Sequence, residues 1–455
     1  MAEDRRATSA LLAASGWLLL AVVALGIAGE VAPGFPDWVA GVVAWVAAAP
    51  LWTRLGRRQK TLVIVMIVLG VAGIAWGFAH GQGGLVARAL TMNTMIIAML
   101  VGVAFLQRVS VSAQADAAPL RRGRLALART ILGVHLFGAV INLTAALIAA
   151  DRLRRVPSAG DPPAGHPVPS AGTLTRQQAL ALGTSFSISA FWSPFLGSMA
   201  VALTVAKGAN LFTLMAMGLP MAAIGVLVLW AWLSTARFDH ARSFEGYPID
   251  VGALWIPFAL AAGVFAVHEW QPQWSVLPVI ATLAILISAL TLVVRDGPQE
   301  AAAQLRDHVP SRLPGLAGEV WIFMAAAVLA AGLSALLTAF DIGAPFSRFG
   351  GIEASLVLVI CTGVAWLGLH PIVTVPLIGV WLAPLSPDPD LLACAFLGSW
   401  ALGLPACATS GTVLSMQARY GIPVTTYMRW NRPYLATMLA VSIVMLNIYA
   451  YLRLA

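Results

Sequence analysis

The stretch RTILGVHLFGAVINLTAALIAADRLRR, residues 129–155, decides the fold. An apolar run, 130–150, is bracketed by basic residues on both sides: Arg129 before it, and Arg152, Arg154 and Arg155 after it. Loops on the cytoplasmic side of a membrane protein collect Lys and Arg. One crossing would leave one of these clusters outside. A helical hairpin that enters from the cytoplasm and turns back keeps both inside, with its tip between Gly138 and Thr144. Non-helical backbone is tolerated at that depth only where protein or a watery cavity surrounds it. The competing reading is a single ordinary span with one basic end exposed.

The rest of the chain agrees with a membrane setting. Of 455 residues, 60% are hydrophobic and 10% charged, and the mean hydropathy is +0.86. Repeated apolar runs of this kind define a polytopic helical membrane protein. The net charge of +8 reflects Arg-rich loops and not a nucleic-acid surface. Threading the apolar segments through a bilayer puts all but four of the 27 Lys and Arg residues on one side, the exceptions being Arg88, Lys207, Arg348 and Arg453. The N-terminal run has no small-residue cleavage site and reads as a retained helix. Cys361, Cys394 and Cys407 lie in apolar segments, which argues against a disulfide framework or a zinc site.

The threading predicts helices over about 8–29, 38–53, 61–79 and 85–106, then the hairpin 130–150. A Pro/Gly-rich linker, 156–172, carries VPSAG at both ends and reads as a flexible cytoplasmic connection. The segment 174–205 should break at Trp192-Ser193-Pro194, because proline removes a backbone donor. Helices follow over 212–234, 251–268, 276–294 and 319–340. The apolar block 353–384 contains Gly368-Leu369-His370-Pro371 and has external signals at both ends, so it reads as a second hairpin, entering from outside. The segment 391–418 should break at Gly403-Leu404-Pro405 and weaken at Thr409-Ser410-Gly411, and a last helix spans 433–451. The expected fold is thus all-α and polytopic, with 11 transmembrane helices plus two re-entrant hairpins in an inverted repeat. Its parts are a first helix and turn (1–37), a first repeat (38–234), a cytoplasmic linker (235–250) and a second repeat (251–455). The expected topology in the inner membrane has the N-terminus inside and the C-terminus outside.

At the hairpins and broken helices the sequence resembles the ion transporter superfamily, most closely the architecture of the divalent anion/sodium symporters. That resemblance implies eleven helices, with hairpins after helices four and nine. In those symporters each hairpin tip carries Ser-Asn-Thr, which shapes the sodium and carboxylate sites. Here the tips read Ile141-Asn142-Leu143-Thr144 and His370-Pro371-Ile372-Val373-Thr374. The resemblance therefore carries a sodium ion, as coupling ion, onto Asn142, Thr144 and Thr374; no other cofactor is implied.

The acidic residues all fall in loops or near helix ends in this threading, which favours an anionic or neutral substrate. Anions can be held by half-helix N-termini, which offer free N–H groups and partial positive charge. Two tips and two breaks would supply four such ends. The polar residues around them are Asn142, Thr144, Ser189, Ser193, His370, Thr374, Thr409, Ser410 and Thr412, the expected substrate-binding set. Each Ser or Thr could instead serve helix packing, and His370 or His135 could simply bond a backbone carbonyl. The function expected from these features is secondary active transport of a small carboxylate-like anion by an elevator motion, in a homodimer. Export of an inorganic oxyanion or drug-like acid is an alternative, as is an intramembrane enzyme, although no paired nucleophile and base or metal motif is present.

Overall fold

The computed structural model describes residues 2–32, 34–109, 121–154, 174–235, 244–247 and 255–454. The linker 156–172, Arg155, Arg237 and Arg242 lie outside them. In hydrocarbon every backbone N–H and C=O must be paired within the segment, and the described residues are accordingly almost all helical. The first half contains α1 (Ala2–Val31), α2 (Asp37–Leu51), α3 (Arg57–Ala79), α4 (Leu85–Thr91), α5 (Thr94–Val109), α6 (Arg124–Ile141), α7 (Thr144–Leu153), α8 (Arg176–Ile188), α9 (Gly197–Val205) and α10 (Leu211–Leu233). The second contains α11 (Trp255–Trp270), α12 (Val276–Asp296), α13 (Pro298–Arg312), α14 (Ala317–Ala339), α15 (Gly351–Trp366), α16 (Pro371–Leu382), α17 (Pro389–Ala406), α18 (Gly411–Tyr420) and α19 (Val424–Leu454). One two-residue ladder, Arg121–Arg122 with Glu245–Gly246, is closed by an Arg122–Glu245 ion pair.

Nine helical stretches among the described residues are long and apolar enough to cross a membrane. One of them is α6, but α6 is one arm of a hairpin. Its partner α7 has ten residues, about 15 Å, half a hydrocarbon core. Both arms end on Tyr247: its N–H donates to Thr130 Oγ1 near the start of α6 (2.9 Å), and its ring lies 5.7 Å from the Arg152 guanidinium at the end of α7. The second hairpin closes likewise, Trp381 Nε1 near the end of α16 donating to the carbonyl of Gly343, ahead of α15 (2.9 Å). The other eight long stretches hold α1, α3, α4–α5, α10, α12, α14, α17–α18 and α19; counting the shorter α2 and α11 and the broken α8–α9 with them gives the eleven segments of the sequence threading. This is an all-α polytopic membrane protein.

The two halves exchange equivalent partners. α3 packs on α14, and its counterpart α12 packs on α5; α6 packs on α8 as α15 packs on α17; α8 packs on α10 as α17 packs on α19. The α3–α14 crossing is close because Gly70 and Gly73 face backbone. A Cβ at Gly73 would sit 2.5 Å from the carbonyl oxygen of Gly332.

The hairpin bases lie at opposite ends of the molecule. At the first base, Arg419 pairs with Asp151 (3.0 Å), and Gln177 donates to the Leu233 carbonyl (2.8 Å). At the other end, Asp390 accepts from the Asn210 N–H (2.6 Å) and Glu30 from the Ser275 N–H (3.0 Å).

Several sequence expectations need correction. The second break does not fall at Gly403-Leu404-Pro405: α17 runs through Pro405 to Ala406, and the chain leaves helical geometry at 407–410. Pro405 costs the helix the bond its N–H would have made to the Ala401 carbonyl, a loss that membrane helices tolerate where neighbouring groups re-satisfy the backbone. The last helix starts nine residues early, at Val424, with Pro433 inside it; transmembrane helices tolerate an interior proline. The run 85–106 is divided at Met92–Asn93, where Asn93 Nδ2 donates to the Phe323 carbonyl (2.7 Å). The surface helix α13 was not anticipated, since its polar sequence reads as a loop.

Candidate binding cavity

Each hairpin and each broken helix starts a second, short helix inside the protein, and all four starts meet at one cavity of about 220 Å³. Its wall includes Asn142 and Leu143 before α7, Leu196 to Ser198 at the start of α9, His370 and Ile372 at α16, and Thr409, Gly411 and Thr412 at α18. The opposite wall comes from α3 (Gln59, Leu62), α5 (Leu100) and α14 (Gly318, Glu319, Ile322, Phe323). Each of these helix N-termini offers free N–H groups and a partial positive charge to the cavity.

The tips are built differently. Asn142 has φ 62° and ψ −153°, a region populated essentially by glycine. Its Oδ1 accepts from the Leu143 N–H (2.8 Å), which holds the turn. At the second tip Gly368 takes the positive φ (104°), and His370 caps α16, its Nδ1 accepting from the Ile372 N–H (3.1 Å). The His370 ring meets Trp400 edge-on at 5.5 Å. Thr409 Oγ1 donates to the Gly368 carbonyl (2.9 Å), tying the second break to the second tip.

The expected site residues divide into three groups. Asn142, His370, Thr409 and Thr412 line the cavity, and the Thr412 hydroxyl, fully buried, has no hydrogen-bond partner. Ser189, Ser193 and Ser410 are committed to backbone instead. Ser189 Oγ donates to the His135 carbonyl (2.9 Å), Ser193 Oγ donates to the Ala139 carbonyl, and Ser410 Oγ donates to the Leu404 carbonyl (2.6 Å) while capping α18. These bonds pin each break to its neighbours. Thr144 and Thr374 are outside the cavity wall; Thr374 is buried on α16 beside Cys361. Asn142, Thr144 and Thr374 are therefore not gathered around the cavity.

His135 likewise has both ring nitrogens occupied. Nδ1 faces the Ser185 carbonyl at 3.3 Å, and Nε2 accepts from Trp192 Nε1 at 3.1 Å. It locks α6 to the first broken helix.

Sequence reasoning missed Gln59 and Glu319. Glu319 lies in the first turn of α14, where an acidic residue ordinarily signals only a favourable helix-dipole contact. Its exposed side chain instead faces the cavity, as the one carboxylate among the lining residues. No sequence pattern distinguishes the two roles, because the facing elements are far away in the chain.

The class defined by this fold is a multi-pass membrane protein with paired re-entrant hairpins around a central cavity. No protein-family model matches the chain, and no curated protein matches it. Among solved structures, the YdaH transporter of Alcanivorax borkumensis, described as having an unusual topology, is similar at 14% identity and a TM-score of 0.38, over 98% of each chain. A superposition of that quality carries no inference about substrate, coupling or partners.

Proposed function

We propose that the protein is a secondary active transporter that moves a small organic anion across the inner membrane, with its basic end in the cytoplasm. The observation that carries this reading is the convergence of four short-helix N-termini on one cavity between two groups of helices. Such ends bind anions through unpaired N–H groups, and their placement on interrupted helices at membrane depth is the arrangement of inverted-repeat transporters. The small volume suits a compact ligand.

The motion proposed is an elevator. Asn142, Ser198, His370, Thr409 and Thr412 belong to the hairpins and broken helices, while Gln59 and Glu319 belong to the helices facing them. A sliding hairpin block would carry its helix ends, and the anion on them, away from Glu319. Rocking about a shared site would leave most of the ligands on one side. The facing helices would form the fixed frame of a homodimer.

Sodium remains the coupling ion proposed from the tips, with Asn142 as the candidate residue on the cavity wall. A proton is the competing ion, and Glu319 joins His370 as a group that could carry it. A carboxylate beside an anion is repulsive unless it is protonated or paired with a cation.

Reconstituted vesicles given a sodium gradient, then a pH gradient, with a panel of small carboxylates test the reading. Accumulation of at least one carboxylate, lost in Thr412→Val with normal folding, is the expected result. Uptake by pH alone, abolished in Glu319→Gln, would replace sodium by the proton. No gradient-driven flux of any anion would remove the transporter reading.

A further inference from the structure

The surface helix α13 builds a second polar cavity, of about 290 Å³, at the basic end of the molecule and apart from the central one. It is lined by Arg108 at the end of α5 and by Gln304, Asp307, His308, Ser311 and Arg312 of α13. Helix α13 is mostly polar, but Ala301, His308 and Val309 are buried, and it packs against α1 and α12. The backbone of Val309 sits directly on Gly16 of α1, where a Cβ would come within 2.5 Å of its carbonyl oxygen. The helix is thus seated on the transmembrane bundle at a fixed depth.

Among the described residues, neither the Arg108 nor the Arg312 guanidinium has a hydrogen bond or an ion pair within 4.0 Å, although Asp296 and Asp307 are on neighbouring turns. Asp296 is already taken by Arg295, in a two-pronged pair of 2.9 and 2.8 Å, with Gln304 donating to it as well (3.0 Å). His308 is 6% exposed, its ring lies 4.7 Å from that of Phe105 at a tilt of 42°, and its Nε2 is buried without any partner. Burial, followed by Arg108 and Arg312, pushes the His308 imidazole down to about 4. The buried His308 nitrogen is the costly group, since a buried polar atom normally has a partner. The two exposed guanidinium groups flank the same cavity, where planar forks of this kind can hold an anion's oxygens in pairs.

We propose that this cavity binds a phosphate group, the planar Arg108 and Arg312 guanidinium groups holding its oxygens and His308 Nε2 completing the contact. Asp307 reduces the net charge of the lining side chains to one positive, which fits a singly charged phosphodiester better than a more highly charged anion. The site opens at the basic end beside the membrane surface, where basic pockets between helices receive anionic head groups. The phosphate could therefore arrive on a lipid or free in solution.

The purified full chain in neutral detergent would be titrated with phosphatidylglycerol, with phosphate-free diacylglycerol and with inorganic phosphate, and binding followed by native mass spectrometry and calorimetry. Phosphatidylglycerol binding without inorganic phosphate binding identifies a lipid head group; binding of both identifies a site open to free phosphate. Either is expected to weaken roughly tenfold or more in Arg108→Gln/Arg312→Gln. His308→Phe keeps a ring against Phe105 and removes the nitrogen, so it serves should the double variant fold poorly; it should weaken binding too. Arg306→Gln changes the charge of the same helix outside the cavity and should bind like wild type. Equal losses in Arg306→Gln and the double variant would mean diffuse charge attraction and overturn the site. Binding of neither phosphatidylglycerol nor phosphate, or equal binding of phosphate-free diacylglycerol, would overturn it as well.

Discussion

The backbone at Asn142 offers the sharpest test of the first hairpin tip. A residue with a Cβ at φ 62° and ψ −153° carries about 1–3 kcal/mol of strain. The Oδ1 bond to the Leu143 N–H offsets part of it, at about 0.5–1.5 kcal/mol. Asn142→Ala loses the bond and keeps the strain. Asn142→Gly loses the same bond but sheds the strain, at a cost of about 0.5–1 kcal/mol in unfolded-chain freedom. The glycine variant should therefore be the more stable of the two by about 1–2 kcal/mol. Thermal unfolding in detergent, followed through the 16 tryptophans, should separate the pair by a few degrees. Both variants remove a polar group from the cavity wall, so both should transport less than wild type. If alanine proves as stable as glycine, the tip does not have this conformation and the helix-end geometry derived from it fails.

The other predictions concern the rest of the frame. Single cysteines replacing Arg124 and Arg154, in a background without Cys361, Cys394 and Cys407, should both be labelled from the cytoplasm, and those replacing Gly343 and Ser386 from outside; opposite labelling within either pair would break that hairpin. Ser193→Ala should lower stability by about 1–3 kcal/mol, by orphaning the Ala139 carbonyl, without changing the substrate affinity of the folded protein more than about threefold. An affinity loss at unchanged stability would return Ser193 to the binding site. Gly73→Ala should destabilise by about 1–3 kcal/mol, since its Cβ meets the Gly332 backbone, whereas Gly363→Ala, with open space around it, should be nearly neutral. Equal melting temperatures for the two would refute the close α3–α14 crossing.

The sequence by itself determined the class and the path of the chain. Hydropathy and the sidedness of Arg and Lys are local quantities, and each segment carries its own share of them. They located both hairpins and the Trp192-Ser193-Pro194 break, but set the second break at Gly403-Leu404-Pro405, ahead of its place at 407–410. Only the tertiary structure decided what each polar side chain does. Ser193 and Thr412 look alike in sequence, yet one hydroxyl donates to a carbonyl 54 residues away and the other has no partner. Glu319 reads as an ordinary first-turn acid until α14 is set against α7, α9, α16 and α18. The polar helix α13 becomes a site only where it meets Arg108 of α5. A hydrogen bond or a shared cavity depends on which helix faces which across the fold, and apolar membrane helices of similar composition record almost nothing of that choice in their own residues.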